Sequence, residues 1–548
     1  MAEGSKGVNL ASVTFSKNEL EALLGRKIKL SELENALPSM GVPVENVDGE
    51  TFTVDITPNR PDLLSVEGIA RAFSLFAGGK VKQYSAKDSG VKLHIDDSVL
   101  PIRPFIVGAL VRNVKLDERS IESLMQLQEK LHETYGRKRR KVSIGVHNFD
   151  AVQPPFYYKA VEPESCSFVP LDMEKKITLS EILELHPKGM EYSIILEGCR
   201  KYPLLVDSRN QTLSFPPIIN GELTRVSGST RNIFIDVTGT DANAVMDALK
   251  ITALALVDRG GELFTVEVVG KKKLQTPDLE CQLEELPVEK INKMLGMNFS
   301  EAQLLKLLSK MGYTAAGRKL RVPCYRADVM GWVDLAEDAA IAYGYNNFEP
   351  SLPNFFSMGQ EKRSEIVEGR ARELMTGLDF LEVMCYNLTN EQECFGKMLL
   401  EEKPHVKIKN PKVEEFTMLR TWILPSLLKI ISESKQTELP IKIFEIGDAV
   451  SLEGAHVNES RHLTCAVYDS KATFSGIKSI ADALIREMGW DVDIKETEHP
   501  SFIKGRAAEL VCNKKRIGVL GEIHPQVLSN FGLEQPVALL EIDLTYFF

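Results

Sequence analysis

Arg326-Ala327-Asp328-Val329-Met330-Gly331-Trp332-Val333-Asp334-Leu335-Ala336-Glu337-Asp338-Ala339-Ala340-Ile341-Ala342-Tyr343-Gly344-Tyr345 sets four carboxylates within eleven residues, beside apolar positions that favour burial. From Val333 onward the apolar residues recur at helical spacing (Val333, Ala336, Ala340, Ile341), which puts Asp334, Glu337 and Asp338 on one helix face. Asp328 joins them from the preceding turn. Hard oxygen ligands grouped in this way suit Mg²⁺, which is held by a few carboxylates while it keeps several waters. The same spacing reads as a capping box, with Asp334 as N-cap and Glu337 three residues on. The two readings are compatible.

Working outward, the neighbourhood of this stretch has an echo near the N-terminus. Residues 275–350 read as a helix from Ser300 to Met311, a strand from Leu320 to Cys324, a polar turn and the helix from Asp334. Residues 1–85 follow the same plan, with short helices at Leu20–Leu24 and Leu30–Met40, a strand at Phe52–Ile56, a Pro58-Asn59-Arg60-Pro61 turn and a helix from Leu63 to Phe76. Each proline of that turn removes a backbone donor and disfavours helix before it. Met40-Gly41 matches Met311-Gly312, and Asp62-Leu63 matches Asp334-Leu335, so one small α+β module is expected twice.

Between the copies, 90–270 reads as a mixed α/β domain. It has a strand at Phe105–Val111, a helix at Ser120–Tyr135, and five consecutive cations, Arg137 to Lys141, that run into the strand-like Val142-Ser143-Ile144-Gly145-Val146-His147. A strand pair is expected around Leu213–Asn220 and Ile233–Thr240. Asn220, Glu222, Thr224 and Arg225 then lie on a turn, and Asp236 and Thr238 share one face of the second strand. A β-hairpin whose polar side chains merely satisfy backbone groups is the plainer interpretation. Residues 355–548 carry helices at Glu365–Leu378 and Leu424–Ser434 among strands such as Lys442–Ile446 and Val537–Ile542.

Composition bounds the class. A chain of 548 residues calls for three to four domains. With 66 Lys and Arg against 77 Asp and Glu, a net charge of −11 excludes a generally basic coat, so any nucleic-acid contact must use a local patch or a partner's surface. Eight scattered cysteines without a C-x-x-C pair point to reduced thiols. His94, His132, His186, His405, His456, His462, His499 and His524 show no metal-ligand spacing. Met1–Lys6 lacks a signal-type apolar core and no long apolar run is present, so a cytoplasmic protein with no membrane contact is expected.

Tyr325-Arg326-Ala327-Asp328 with Asp334-Leu335-Ala336-Glu337-Asp338 and Ala342-Tyr343-Gly344-Tyr345-Asn346-Asn347 resembles the signature of the phenylalanyl-tRNA synthetase β-subunit family, archaeal or eukaryotic cytosolic type. Asp55-Ile56-Thr57-Pro58-Asn59-Arg60-Pro61-Asp62 resembles that family's N-terminal motif. Phe215-Pro216-Pro217-Ile218-Ile219-Asn220 and Asp236-Val237-Thr238-Gly239-Thr240 resemble its editing module. Because the last segment ends at Phe548, the chain looks like the family's shorter form, without the anticodon-binding domain of the bacterial one.

The resemblance implies an α+β multidomain protein: a duplicated small module, an α/β editing domain, and an antiparallel-sheet domain of class II synthetase type. The last is expected to be catalytically silent, because Leu419-Arg420-Thr421-Trp422 lacks the Arg-x-Glu that grips ATP, and Gly518-Val519-Leu520-Gly521-Glu522-Ile523-His524-Pro525 lacks a second Arg. It implies an α subunit as partner in an (αβ)₂ heterotetramer, tRNA(Phe) as substrate, ATP bound mainly by α, and Mg²⁺ at Asp328, Asp334, Glu337 and Asp338, shared with α. Hydrolysis of mischarged tyrosyl-tRNA is expected from Asn220, Arg225, Asp236 and Thr238, with Leu204, Ser214 and Glu222 binding substrate. The cations Arg137 to Lys141 are then either a solvated surface or a contact for tRNA phosphates. The competing interpretation is a non-enzymatic RNA-binding scaffold built from the same modules, which a deacylation assay separates from an editing enzyme.

Overall fold

Ser16, Ser65, Asp117, Asp241 and Ser300 each accept a backbone N–H from the first turn that follows, so the helices at Lys17, Val66, Glu118, Ala242 and Glu301 begin where the chain supplies a short oxygen side chain. The computed structural model describes residues 12–353, 355, 357–434 and 436–548. The Met1–Lys6 segment read above lies outside them. The chain divides into two units, Met1–Leu352 and Pro353–Phe548. Among the described residues no helix is long and apolar enough to cross a membrane.

In the first unit, the strand Ser12–Ser16, helices Lys17–Leu24 and Leu30–Ser39, strands Val44–Asp48 and Thr51–Asp55, and helix Val66–Phe76 form one small module. Leu283–Glu285, Val288–Leu295, Glu301–Ser309, Thr314–Ala316, Lys319–Arg321 and Trp332–Tyr343 run in the same order, and in both three-stranded sheets the last strand sits in the middle. Gly25 and Gly296 both end the first helix with φ 66°, a left-handed cap that suits glycine.

The corner before the last helix is also fixed twice by one device. Arg60 grips both oxygens of Asp62 at 2.9 and 2.8 Å, and Arg326 grips those of Asp328 at 2.7 and 2.6 Å. This pairs Asp62 with Asp328, which corrects the match to Asp334 expected above. Counted from there, Asp334, Glu337 and Asp338 stand where the first copy has Gly68, Arg71 and Ala72, so the acidic helix face belongs to the second copy alone.

Between the modules lies a mixed ten-stranded sheet. Its path runs Ile219–Asn220, Thr212–Phe215, Tyr202–Val206, Phe156–Val161, Lys87–Ile95, Glu262–Val269, Phe105–Arg112, Ile233–Gly239 and Val142–Asn148, with Lys273–Thr276 added beside Glu262–Val269. The expected pairing of the 213–220 and 233–240 strands does not occur. Ile233–Gly239 pairs instead with Phe105–Arg112 and Val142–Asn148, at the other end of the path from Thr212–Phe215. The two ends nevertheless meet, because the sheet curls until Ile219–Asn220 lies against Val142–Asn148. No ladder closes that seam. Asn220 Nδ2 donates across it to the Val146 carbonyl at 3.4 Å.

Strand alternation decides what faces the seam. Ile233, Ile235 and Val237 join the core beneath helix Ala242–Asp258, and the opposite face carries Phe234, Asp236 and Thr238. The second unit is a seven-stranded sheet, antiparallel except at Leu381–Glu382, with helices Arg363–Gly377 and Phe474–Met488 over one core and Leu424–Glu433 and Pro525–Asn530 over another.

Candidate functional site

Asp236 is 2% exposed on a strand whose register sets it opposite Gly145. Two residues along that neighbouring strand, on the same face, stands His147, fully buried, with Nε2 2.7 Å from Asp236 Oδ1 and Nδ1 2.8 Å from Thr224 Oγ1. Both ring nitrogens are occupied, so the imidazole orients the carboxylate and is not itself free to meet a ligand. Asp236 Oδ2 has no hydrogen bond from the described residues, and Asp236 lines a cavity of about 290 Å³. Gly145 makes the arrangement possible. A Cβ there would sit 2.3 Å from Asp236 Oδ1 and 2.7 Å from His147 Nε2.

The cavity opens at the seam, which is why residues far apart on the sheet path converge on it. Ser214, Asn220 and Arg225 line it together with Asp236. Ser214 Oγ is buried without a hydrogen-bond partner, an uncommon state for a hydroxyl unless a ligand or water completes it. Arg139 ties the wall: its guanidinium donates to the carbonyls of Pro217 (3.4 Å) and Ile218 (2.7 Å), binds Glu129 at 2.6 Å and stacks on Tyr192. Burial opposes the charge of Glu129, but His132 and Arg139 outweigh it and hold the carboxyl at about 2.

Three expected site residues take other places, and a fourth, Arg225, lines the cavity only at its rim. Thr238 is buried beside the cavity's floor but does not line it; its hydroxyl accepts from Arg103 Nε at 2.8 Å, and Arg103 also donates to the Thr238 carbonyl at 2.7 Å. Leu204 belongs to a separate apolar core with Phe215 and Ile218. Glu222 is spent on Arg225, whose guanidinium it and Asp172 clamp at 2.6 to 2.7 Å on the exposed rim. Arg225 is therefore a neutralised rim residue, not a cation presented to substrate. His147, by contrast, is not among the histidines singled out by spacing, yet it holds Asp236. The signal was there, in the alternation of Ser143, Gly145 and His147 with Val142, Ile144 and Val146.

The basic run leads into this site. Arg137, Lys138 and Arg139 all have positive φ (50°, 54° and 62°), each costing about 1–2 kcal/mol for a residue with a Cβ. Arg139 turns inward as described, and Arg137, Lys138 and Arg140 stay exposed.

The four acids of the second module divide between three tasks. Asp338 is buried, accepting from Tyr313 Oη at 2.6 Å and Arg326 at 2.9 Å, while Asp328 takes the two-pronged grip of the same arginine. Asp334 is the third residue of the helix rather than its N-cap, and its Oδ2 accepts the backbone N–H of Met330 (2.7 Å) and Gly331 (2.9 Å). Glu337 is exposed. A single shell of four carboxylates does not fit this arrangement, because the Arg326 guanidinium stands between Asp328 and Asp338. Oxygens remain open to a cation on Asp334 and Glu337, one helical turn apart. Among the described residues only Glu391, Glu402 and His405 bring three ligand atoms within 4.8 Å, and there the Lys407 ammonium is already the counter-ion at 3.0 and 3.3 Å.

Comparison with known proteins identifies the family. Residues 349–544 match the family described as phenylalanyl tRNA synthetase beta chain CLM domain, and residues 284–345 match the tRNA synthetase B5 domain. The phenylalanine–tRNA ligase β subunit of Archaeoglobus fulgidus is 42% identical over 98% of this chain and 98% of its own length. That of Pyrococcus horikoshii is 41% identical over 96% and 98%. A crystal structure of an N-terminal fragment of the phenylalanyl-tRNA synthetase β subunit from Pyrococcus horikoshii aligns with a TM-score of 0.58 at 40% identity, covering 61% of this chain and 99% of the fragment. The duplicated module, the curled sheet with its pocket and the near-complete likeness lead to one conclusion: the chain belongs to the phenylalanine–tRNA ligase β-subunit family.

Proposed function

We propose that the chain acts in the cytoplasm as the β subunit of an (αβ)₂ phenylalanine–tRNA ligase, and that the cavity beside Asp236 clears tyrosyl-tRNA(Phe) by hydrolysis. The observation that carries the second part is a buried carboxylate with one unbonded oxygen, fixed by His147 and facing a closed-in space that also holds the unpartnered Ser214 hydroxyl. Asp236 Oδ2 orients a water by accepting its O–H. The water oxygen bonds to the ester carbonyl carbon, the bond from that carbon to the terminal ribose oxygen breaks, and the ribose oxygen takes up the proton, leaving tyrosine and uncharged tRNA. Ser214 Oγ is the partner for the phenolic hydroxyl. A site built to bond a hydroxyl rejects the analogue lacking it by about 10⁴–10⁵, whereas an apolar synthetic pocket rejects the extra hydroxyl by only ~10². Phenylalanyl-tRNA is thereby spared.

The second unit is proposed to be the class II-like sheet that supports α without activating amino acid itself. Its Arg420, the arginine nearest the missing ATP grip, is 1% exposed and committed to Glu445 at 2.7 Å and the Asp448 carbonyl at 2.8 Å. Chain purified free of α is expected to give no phenylalanine-dependent ATP–pyrophosphate exchange, yet to deacylate tyrosyl-tRNA or 3′-tyrosyl-adenosine; exchange by rigorously α-free protein sinks the division of labour, and absence of all deacylation sinks the editing site in favour of a scaffold.

Mg²⁺ enters the proposal at the open edge of the acidic helix, held by Asp334 and Glu337 with the remaining oxygens from α. The informative variant is Glu337→Gln, since Asp338 is a buried structural acid and Asp334 caps its own helix. Glu337→Gln is expected to raise the Mg²⁺ concentration needed for αβ assembly without altering the stability of free β. An unchanged titration, followed by light scattering, removes the metal from this face.

A further inference from the structure

Next to the cavity runs a larger groove of about 1200 Å³, and Pro217 belongs to the walls of both. Its ionisable lining is lopsided. Arg103, Arg137, Lys138, Arg140 and Lys141 face Glu133, Glu191 and Asp241. Two of those acids are already taken, Asp241 by Lys141 at 3.3 Å and Glu191 by Lys188 at 3.1 Å, and Glu133 accepts from Tyr192 Oη. Arg137, Lys138 and Arg140 form no ion pair with any described residue. Arg137, Lys138 and Arg140 thus gather three uncompensated cations on one short turn beside the cavity, in a chain with a net charge of −11.

Two independent features mark the groove as more than a solvated patch. The turn carries three successive left-handed residues, closed by backbone bonds such as Arg139 N–H to the His132 carbonyl at 3.1 Å and by the inward hook of the Arg139 side chain, and it leaves Arg137, Lys138 and Arg140 exposed. Arg103, at the groove's inner end, is 2% exposed and has no carboxylate within ion-pair distance among the described residues; its guanidinium bonds only Thr238 and the Arg140 carbonyl. Burial pushes its guanidinium down to about 10, although Tyr158 and Asp236 pull the other way. A buried cation left without a counter-ion suits a site completed by an anion.

We propose that this groove binds the phosphates of the single-stranded 3′ end of tRNA and delivers its terminal ester over the Pro217 wall into the Asp236 cavity. The assignment rests on the editing reading above. Arg137, Lys138 and Arg140 hold the incoming backbone, and Arg103 meets the phosphate nearest the pocket. Lys141 remains with Asp241.

The test is the triple variant Arg137→Gln, Lys138→Gln, Arg140→Gln in the αβ complex, beside a control that removes equal charge at the exposed Lys271, Lys272 and Lys273. Three lost contacts at about 0.7 in salt slope each should weaken binding of a labelled single-stranded oligonucleotide carrying the tRNA 3′ sequence, and should make its affinity about twentyfold less sensitive to a rise from 50 to 200 mM salt. KM for tyrosyl-tRNA hydrolysis should rise roughly tenfold or more, while turnover of 3′-tyrosyl-adenosine, which has no phosphate, stays normal. The control should behave as wild type. If wild type hydrolyses tyrosyl-adenosine but the triple variant keeps the wild-type KM and salt slope on tRNA, the groove is not the RNA path. If wild type hydrolyses neither substrate, the editing reading itself has failed. Loss in the variant of binding to phosphatidylserine vesicles, with RNA binding intact, overturns the RNA assignment in favour of a membrane.

Discussion

Asp236→Ala in the αβ complex is expected to leave phenylalanylation of tRNA(Phe) within about twofold of normal and to slow tyrosyl-tRNA hydrolysis by roughly 10²–10⁴, the range associated with losing a positioned acid–base group. The argument is geometric. Asp236 Oδ2 is a buried carboxylate oxygen on the cavity wall with no hydrogen-bond partner among the described residues, and the other oxygen is held by His147. Gly145→Ala provides a second route to the same phenotype without touching the acid, since its Cβ would intrude on both Asp236 and His147 and force them apart. A Gly145→Ala enzyme that charges normally but edits poorly separates pocket geometry from synthesis. If Asp236→Ala still deacylates at the wild-type rate, the hydrolytic centre lies elsewhere.

Arg326→Met should be the most destabilising single change in the second small module, by about 3–5 kcal/mol, the cost of stranding buried charges by removing their partner. Two carboxylates depend on this guanidinium, Asp328 and the 3%-exposed Asp338. Adding Asp328→Asn and Asp338→Asn to Arg326→Met should recover a good part of the loss, because the stranded charges disappear with their partner. Amide hydrogen exchange over residues 284–345 is the appropriate readout, since a chain of two units need not unfold in one step. Exchange protection unchanged in Arg326→Met would show that the acids are solvated and the arginine incidental.

Much of the architecture was legible because it is local. The helix at Ser300–Met311 is found at Glu301–Ser309 behind a Ser300 cap, and the helix at Leu424–Ser434 at Leu424–Glu433. The shared face of Asp236 and Thr238 followed from period-two alternation alone. What escaped was long-range. Nothing in the chain announces that Thr212–Phe215 and Ile233–Gly239, twenty residues apart, lie at different ends of a sheet and face each other only because it curls. For that reason sequence alone gathers Leu204 and Glu222 into a site they do not line and passes over His147, which fixes the acid on its wall. The acidic stretch failed differently: helical spacing located the carboxylates correctly but is silent about a single arginine two residues before the first of them, which claims two of the four.

The seam between Asn220 and Val146 has an engineering consequence. In a barrel closed by backbone ladders, the gap between neighbouring strands is fixed near 4.8 Å and the interior is set by strand number. Here the aperture is set by tether length, one asparagine amide reaching 3.4 Å and one arginine hooked over two carbonyls. Side chains can be exchanged for longer or shorter ones without unpicking a sheet, so the width of the cavity is adjustable independently of the fold that surrounds it.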